Sequence, residues 1–263
     1  MKISFCTTCM NRFSFLELTL RRNMELVKQF NDANTDKLEL TLCNYDSKDN
    51  LHEYIMKNYL KDIEAGRLQY IYIGDKEYFN CSHAKNIAYK IATGDVVINL
   101  DGDNYLCLNL IEFIHEEFSN NDIDDIMIRD LKNIGMLGMS KANFIKLGGY
   151  SEVMYAYGHA DKDLIHRSLK YLKCKEKNVP PEINYLEDYC IQQWMDTKFC
   201  NYEEKTVDGV KLSHVDDTMA FNLAKKILYD KKNIMNPNKH EGIEFGKIDD
   251  NEVKWYSKHY LNQ

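Results

Sequence analysis

The run Val96-Val97-Ile98-Asn99-Leu100 constrains this chain more than any other stretch. It is too short for a core helix, nearly continuous in apolar character, and ends in Asp101-Gly102-Asp103. A strand with one wet face alternates polar with apolar; a strand apolar on both sides has to be covered on both. The sequence before it supplies the cover. Segments 2–7 (KISFCT), 37–45 (KLELTLCNY) and 68–74 (LQYIYIG) read as three further strands. Between them, 11–30, 51–63 and 82–93 place apolar residues at helical spacing, the last closed by Gly94. Strand and helix thus alternate with short connections through residue 106. The expected fold is α/β, a mainly parallel sheet flanked by helices on both faces.

In such sheets ligands bind past the carboxyl ends of the strands. Thr7-Thr8, Asn44-Tyr45-Asp46 and Asp101-Gly102-Asp103 all stand there. After residue 107 the pattern loosens. Helices are expected over 108–118, 159–173 (Leu164, Ile165, Leu169 and Leu172 buried) and 218–232, with a short strand in 134–140. A single domain over 1–263, with a change of character near 106, is expected.

Composition excludes several classes. Thirty-four Lys and Arg against 41 Asp and Glu give a formal charge of −7, the wrong sign for general nucleic-acid binding. No apolar run approaches the roughly 18 residues of a membrane span, and 1–10 is too weakly apolar for a secretory signal. Eight scattered cysteines suggest free thiols and a cytoplasmic setting. Cys6-Thr7-Thr8-Cys9 lacks the second pair a structural zinc needs. The C-terminal VKWYSKHYLNQ, basic and aromatic, suits either a membrane surface or packing on the domain, the latter being expected.

Asp101 and Asp103, two apart, would face one way from an extended backbone, with Cα atoms about 6–7 Å apart. Gly102 would permit close ligand approach and an unusual backbone angle. Two hard oxygen donors suit Mg²⁺ or Mn²⁺; the plain alternative is a solvated acidic turn. A second cluster follows Gly148-Gly149, with Tyr150, Tyr155 and Tyr157 as a stacking surface for a sugar ring, and Asp161 and Asp163 in a helix's first turn. Helix capping explains one of these acids without further function. His214, after the short strand-like GVKL, is a third candidate.

In order, ISFCTTCMNR, LTLCNYDSKDN, FNCSHAKNIAYKIATGDVVINLDGDNYL and GMLGMSKANFIKLGGYSE…YGHADKDLIHR resemble the segments of GT-A fold nucleotide-sugar glycosyltransferases of the family 2 type. The resemblance spans roughly residues 3 to 167, with a tail through His214 similar to the C-terminal region of galactosyltransferases. It implies a nucleotide-binding half over 1–106 and, over 107–263, an acceptor-binding half with C-terminal helices, whose acceptor side is a smaller β/α portion. Thr8, Asn11, Arg12, Asp46, Lys85 and Asp101 would then bind the nucleotide-sugar, with Asp46 accepting the uracil N–H. Asp101, Asp103 and His214 would hold Mn²⁺ or Mg²⁺. Tyr157, Gly158, His159 and Asp163 would meet the acceptor, and Asp161 would be the catalytic base, with Asp163 as substitute. The implied reaction moves a hexose from a UDP-sugar to a hydroxyl of a carbohydrate or glycoconjugate, with inversion. Two departures stand out: Ala160-Asp161 replaces the family's common Glu-Asp, and Tyr157-Gly158 its Trp-Gly. The alternatives are a non-catalytic nucleotide-sugar or glycan binder and a metal-dependent nucleotidyltransferase, the latter disfavoured by the lack of an early Gly-rich phosphate loop.

Overall fold

The structure, a computed structural model, describes residues 1–133, 135–154, 158–183, 205–207, 210–212 and 215–257. Through the first half, strand and helix alternate: β1 (Lys2–Cys9), α1 (Phe13–Ala33), β2 (Lys37–Tyr45), α2 (Leu51–Glu64), β3 (Leu68–Ile73), α3 (Cys81–Ile91), β4 (Val96–Asn99) and α4 (Leu108–Asn120). The rest adds β5 (Ile126–Arg129), β6 (Leu137–Ser140), α5 (Lys141–Leu147), α6 (Ala160–Arg167), which runs into a π-turn over Ser168–Leu172, and β7 (Lys175–Asn178). Beyond these lie β8 (Lys205–Val207), β9 (Val210–Leu212), α7 (Val215–Lys231), the single turn α8 (Pro237–His240) and β10 (Val253–Tyr256).

One sheet takes strands from both halves of the chain, in the order β10-β3-β2-β1-β4-β6-β5-β7, and β8 with β9 forms a separate hairpin. β3, β2, β1 and β4 are parallel; β6 runs against β4, and β10 against β3. The chain winds outward from β1 through β2 to β3, then crosses back to lay β4 on the other side of β1. That reversal opens a crevice at the carboxyl ends of β1 and β4, where α/β sheets bind ligands.

Side-chain parity builds the two faces. Ile3, Phe5, Leu38, Leu40, Leu42, Val96 and Ile98 pack toward α1, α2 and α4. Cys6, Cys43, Tyr45, Ile71 and Val97 pack toward α3, α5 and α6. The odd spacing of Cys6 and Cys9 sends them to opposite faces, so the pair cannot share one metal ion. Gly94 does not end α3, which stops at Ile91. A Cβ at Gly94 would lie 2.5 Å from Ser4 Oγ and 2.8 Å from the Lys2 carbonyl oxygen, so it is the close approach to β1 that requires glycine.

The structure adds four strands, β5, β7, β8 and β10, to those the spacing predicts. Four residues carry little periodicity, and Lys175-Glu176-Lys177-Asn178 is a charged edge of the kind that blunts a sheet. The C-terminal VKWY adds to the opposite edge, bringing Trp255 onto Tyr70 with ring centroids 5.3 Å apart. Finally, 159–173 is not one regular helix: the π-turn inserts extra backbone per turn and rotates Leu169 outward, leaving it 36% exposed.

Arg167 fixes α6 against α5. It is fully buried, pairs with Asp163 at 2.7 Å, and donates to the carbonyls of Leu147 (2.9 Å) and Gly149 (2.8 Å). Those carbonyls lie at the end of α5, where Gly148 and Gly149 turn the chain at φ 75° and 67°. Arg167→Met strands the buried Asp163 charge and both carbonyls, and is expected to cost about 3–5 kcal/mol, read from urea unfolding. Arg21→Met, which removes only an exposed helical pair, should cost less than about 0.5 kcal/mol; equal effects would refute the role given to Arg167.

The thiols offer a second check. Burial pushes Cys6 and Cys9 each up to about 12, and Cys43 is pushed up as well, first by burial and then by Cys9. Iodoacetamide at pH 8 should leave all three unmodified in the native protein and alkylate them in denaturant, as peptide mapping would show.

Candidate active site

Cross-bonded loops form the crevice floor. Thr7 Oγ1 donates to the Leu100 carbonyl (2.8 Å), tying the end of β1 to the exit of β4. Asn11, left-handed at φ 56°, donates its backbone N–H to Ser47 Oγ (2.9 Å) and accepts the Lys48 N–H on Oδ1 (2.7 Å). Thr8 lies half-buried beside it. Asp46 sits past β2 with φ 57°; its carboxylate accepts from Lys48 Nζ (2.6 Å) and from the Lys76 N–H (2.8 Å). A nucleobase N–H reaching Asp46 would therefore share that carboxylate with Lys48, whose side chain is otherwise exposed.

Asp101-Gly102-Asp103 is a turn, not the extended pair expected. The Asn104 N–H donates to the Asp101 carbonyl (2.9 Å). Gly102 needs no special freedom, since a Cβ there would make only ordinary contacts at 3.6–3.7 Å. Close approach occurs elsewhere: a Cβ on Gly135 would lie 2.7 Å from Asp101 Oδ2, so the backbone at 135 lies against that carboxylate. Asn99 Nδ2 holds Asp101 Oδ1 (2.8 Å) and the Gly135 carbonyl (2.9 Å).

Helix α1 grips the turn from behind. Thr19 Oγ1 donates to the Gly102 carbonyl (2.5 Å), Asn23 Nδ2 to the Asn104 carbonyl (3.0 Å), and Asn23 Oδ1 accepts the Leu106 N–H (2.7 Å). Reading for catalytic side chains alone missed Asn99, Thr19 and Asn23. Their signal was present as polar residues at buried-stripe positions, Thr19 and Asn23 being one turn apart between Leu16, Leu20 and Met24.

The turn concentrates charge. Burial, and then Asp101, raise the Asp103 pKa, while Arg12 opposes them with Nη2 3.7 Å from Asp103 Oδ2. Two hard carboxylates on one short turn, with the Arg12 guanidinium at 3.7 Å from one of them, are a donor set that fits a divalent cation. Among the described residues no third His, Cys, Asp or Glu joins them. His214 lies outside the described residues, as do Tyr155 and Tyr157.

Lys85 is not free to serve a nucleotide alone. Buried on α3, its Nζ lies 2.9 Å from Asp161 Oδ1 and 5.0 Å from the Tyr150 ring centroid. Burial is the largest single influence and disfavours its charge, but Asp161, Cys81 and Asp101 together outweigh it, and the ammonium is held well above its ordinary value. Asp161 is raised, by burial first and by Asp101 next, against the pull of Lys85. Its side chain stays 26% exposed, enough to meet a ligand.

Tyr150 is not a sugar platform. It is fully buried, edge-on to Tyr89 at 5.7 Å. Two buried amides hold its backbone: Asn86 donates to the Tyr150 carbonyl (2.9 Å) and accepts its N–H (2.8 Å), and Asn238 donates to the Gly148 and Tyr150 carbonyls (2.8 Å each). Asp163 is likewise turned away from any acceptor, into Arg167. Gly158, at φ 92°, and His159, at φ 66°, lead into α6, and the Gly158 carbonyl is held by Asn222 Nδ2 (3.0 Å).

Asp101 and Asp161 thus share the field of Lys85, whereas Asp46 marks the far end of the rim. Solved structures of this architecture include a mannosyltransferase from Pyrobaculum calidifontis, in complex with GDP-Man and Mn²⁺ (TM-score 0.56, 14% identity, 73% of this chain and 59% of that one). Another is TarS 1-349 of S. aureus with UDP (0.51, 14%, 69% and 62%). A third is GalNAc-T7 with UDP, GalNAc and Mn²⁺ (0.54, 15%, 68% and 42%). At such identity they establish the GT-A fold alone, and the chain spans about three-fifths or less of each. No curated protein matches the sequence. The sequence profile described as glycosyl transferase family 2 matches residues 4–162, more than half of the chain, and does not reach the tail likened above to galactosyltransferases. The chain belongs to glycosyl transferase family 2.

Proposed function

We propose that this protein transfers a hexose from a UDP-sugar to a hydroxyl of a carbohydrate or glycoconjugate, with inversion and with Asp161 as base. The observation that carries this is the position of Lys85. It pairs with Asp161 and feels Asp101, so the candidate base and the acidic turn lie within Coulomb reach of one buried cation. Two complexes of similar fold hold UDP, which supports a UDP-sugar donor, whereas a third holds GDP-Man; Mn²⁺ is present in two of the three.

Thr8, Asn11 and Arg12 line the nucleotide side, with Asp46 at the base end. Asp101 and Asp103, with His214 as a candidate third ligand, would hold Mn²⁺ or Mg²⁺, whose charge makes the diphosphate a better leaving group. Lys85 orients Asp161 through their 2.9 Å contact. Burial raises the Asp161 carboxyl, bringing its proton affinity nearer that of an activated hydroxyl. The acceptor oxygen gives its proton to Asp161 and bonds to the anomeric carbon as the bond to the diphosphate oxygen breaks. A single base opposite the leaving group implies inversion. Gly158 and His159 would border the acceptor.

Asp161→Asn should lower transfer by about 10²- to 10⁴-fold while calorimetric UDP affinity with Mn²⁺ stays the same. Equal loss of both would make Asp161 structural; UDP binding without any transfer by the unaltered chain would favour a non-catalytic binder. Metal-dependent UDP binding, absent with chelator and for Asp103→Ala, is the prior test. GDP measured beside UDP decides the base, and failure of both nucleotides to bind a folded chain would end this assignment.

The grip of α1 gives a further outcome. Asn23→Ala leaves the acids in place but frees the turn carrying them. A loss of about tenfold or more in Mn²⁺-dependent UDP affinity is expected, with far-UV circular dichroism preserved.

A further inference from the structure

α6 has a second working face. While Asp161 looks to Lys85, His159, Lys162, Ile165 and His166 line a cleft of about 490 Å³, closed by Leu223 and Lys226 of α7 and by the segment after β5. Asp161 does not itself line the cleft; His159 and Lys162, two residues before it and one after, do, so an acceptor seated here reaches Asp161 by extending past the rim of the cleft along α6.

Its charge is lopsided. Arg129 is matched by Glu176 at 3.0 Å, and His166 by Asp230 at 2.8 Å. Asp130, the one carboxylate among the described lining residues, is buried and accepts the Lys132 N–H (2.8 Å). Lys162 and Lys226 come from different helices, and neither has an ion pair or hydrogen bond among the described residues. Both act on His159, whose imidazole is pushed down by burial first and then by these two ammoniums. In a chain of net charge −7, these two lysines outnumber Asp130, the one described carboxylate of the lining, and as like charges on one cleft they repel one another. An anion between them removes that repulsion.

We propose that the acceptor is anionic: a phosphorylated or carboxylated sugar whose charged group sits between Lys162 and Lys226 while a hydroxyl reaches Asp161. This rests on the transfer reaction proposed above but is tested apart from it. Glucose 6-phosphate, glucuronate and methyl glucoside are titrated calorimetrically into the full chain, each with and without UDP and Mn²⁺. At least one anion should bind about tenfold or more tighter than methyl glucoside, and Lys162→Gln with Lys226→Gln should remove that advantage. The same double variant should bind UDP with Mn²⁺ as before. Which anion binds better distinguishes phosphate from carboxylate. Equal affinity for neutral and charged sugars, no binding of either anion, or an advantage that survives the double substitution overturns the proposal. Anion binding without UDP binding would instead leave this site standing and remove the transferase assignment.

Discussion

The pairing of β1 with both β2 and β4 is the constraint on which the rest depends. Because all three strands run parallel, their carboxyl ends share one rim. Because β4 lies on the opposite side of β1 from β2, the loops leaving β1 and β4 part around a crevice. Thr7 then bonds across to Leu100, and the acidic turn emerges beside the loop carrying Asn11 and Arg12. Had β4 continued outward from β3, Asp101 and Asp103 would stand three strands away from Arg12.

Loops past the strand ends and the first turn of α6 carry the candidate chemistry, and buried amides and one arginine hold them in place. Asn23 grips the turn after β4, Asn86 and Asn238 grip the backbone around Tyr150, and Arg167 joins the end of α5 to α6. Each replaces water at backbone groups that the fold has removed from solvent, and such groups are costly if left unmatched. The same logic governs Glu39 at the opposite end of the sheet. It is fully buried among Lys2, Ser4 and Thr93, so its charge is matched by several donors. Lys85 and Asp161 differ in one respect. Their pair is left partly open on the Asp161 side, where matching by protein groups gives way to contact with whatever occupies the crevice.

Legibility in the sequence followed the strength of local periodicity. The first four strands and three helices could be read because their apolar spacing is set by burial against the sheet. The alternation predicts β2 over Lys37–Tyr45, the bounds it has. β5, β7 and β10, at four residues each, depend on neighbours supplied from far along the chain. The π-turn after Arg167 left no trace in the pattern that placed Leu169 inward. Tyr150 looked like a platform because aromatic residues suit both sugars and cores, and only burial against Tyr89 separates the two roles.

The sequence by itself determined the alternation of strand and helix and the placing of polar groups just past strand ends, since both follow from spacing along a few residues. Tertiary structure alone decided the partners. Lys85 meets Asp161 across 76 residues, Asn23 meets Asn104 across 81, and Asp163 turns inward because Arg167 must cap carbonyls of another helix. Whether a carboxylate is a reagent or a brace depends on which donor reaches it in the folded chain, and no local pattern encodes that distance.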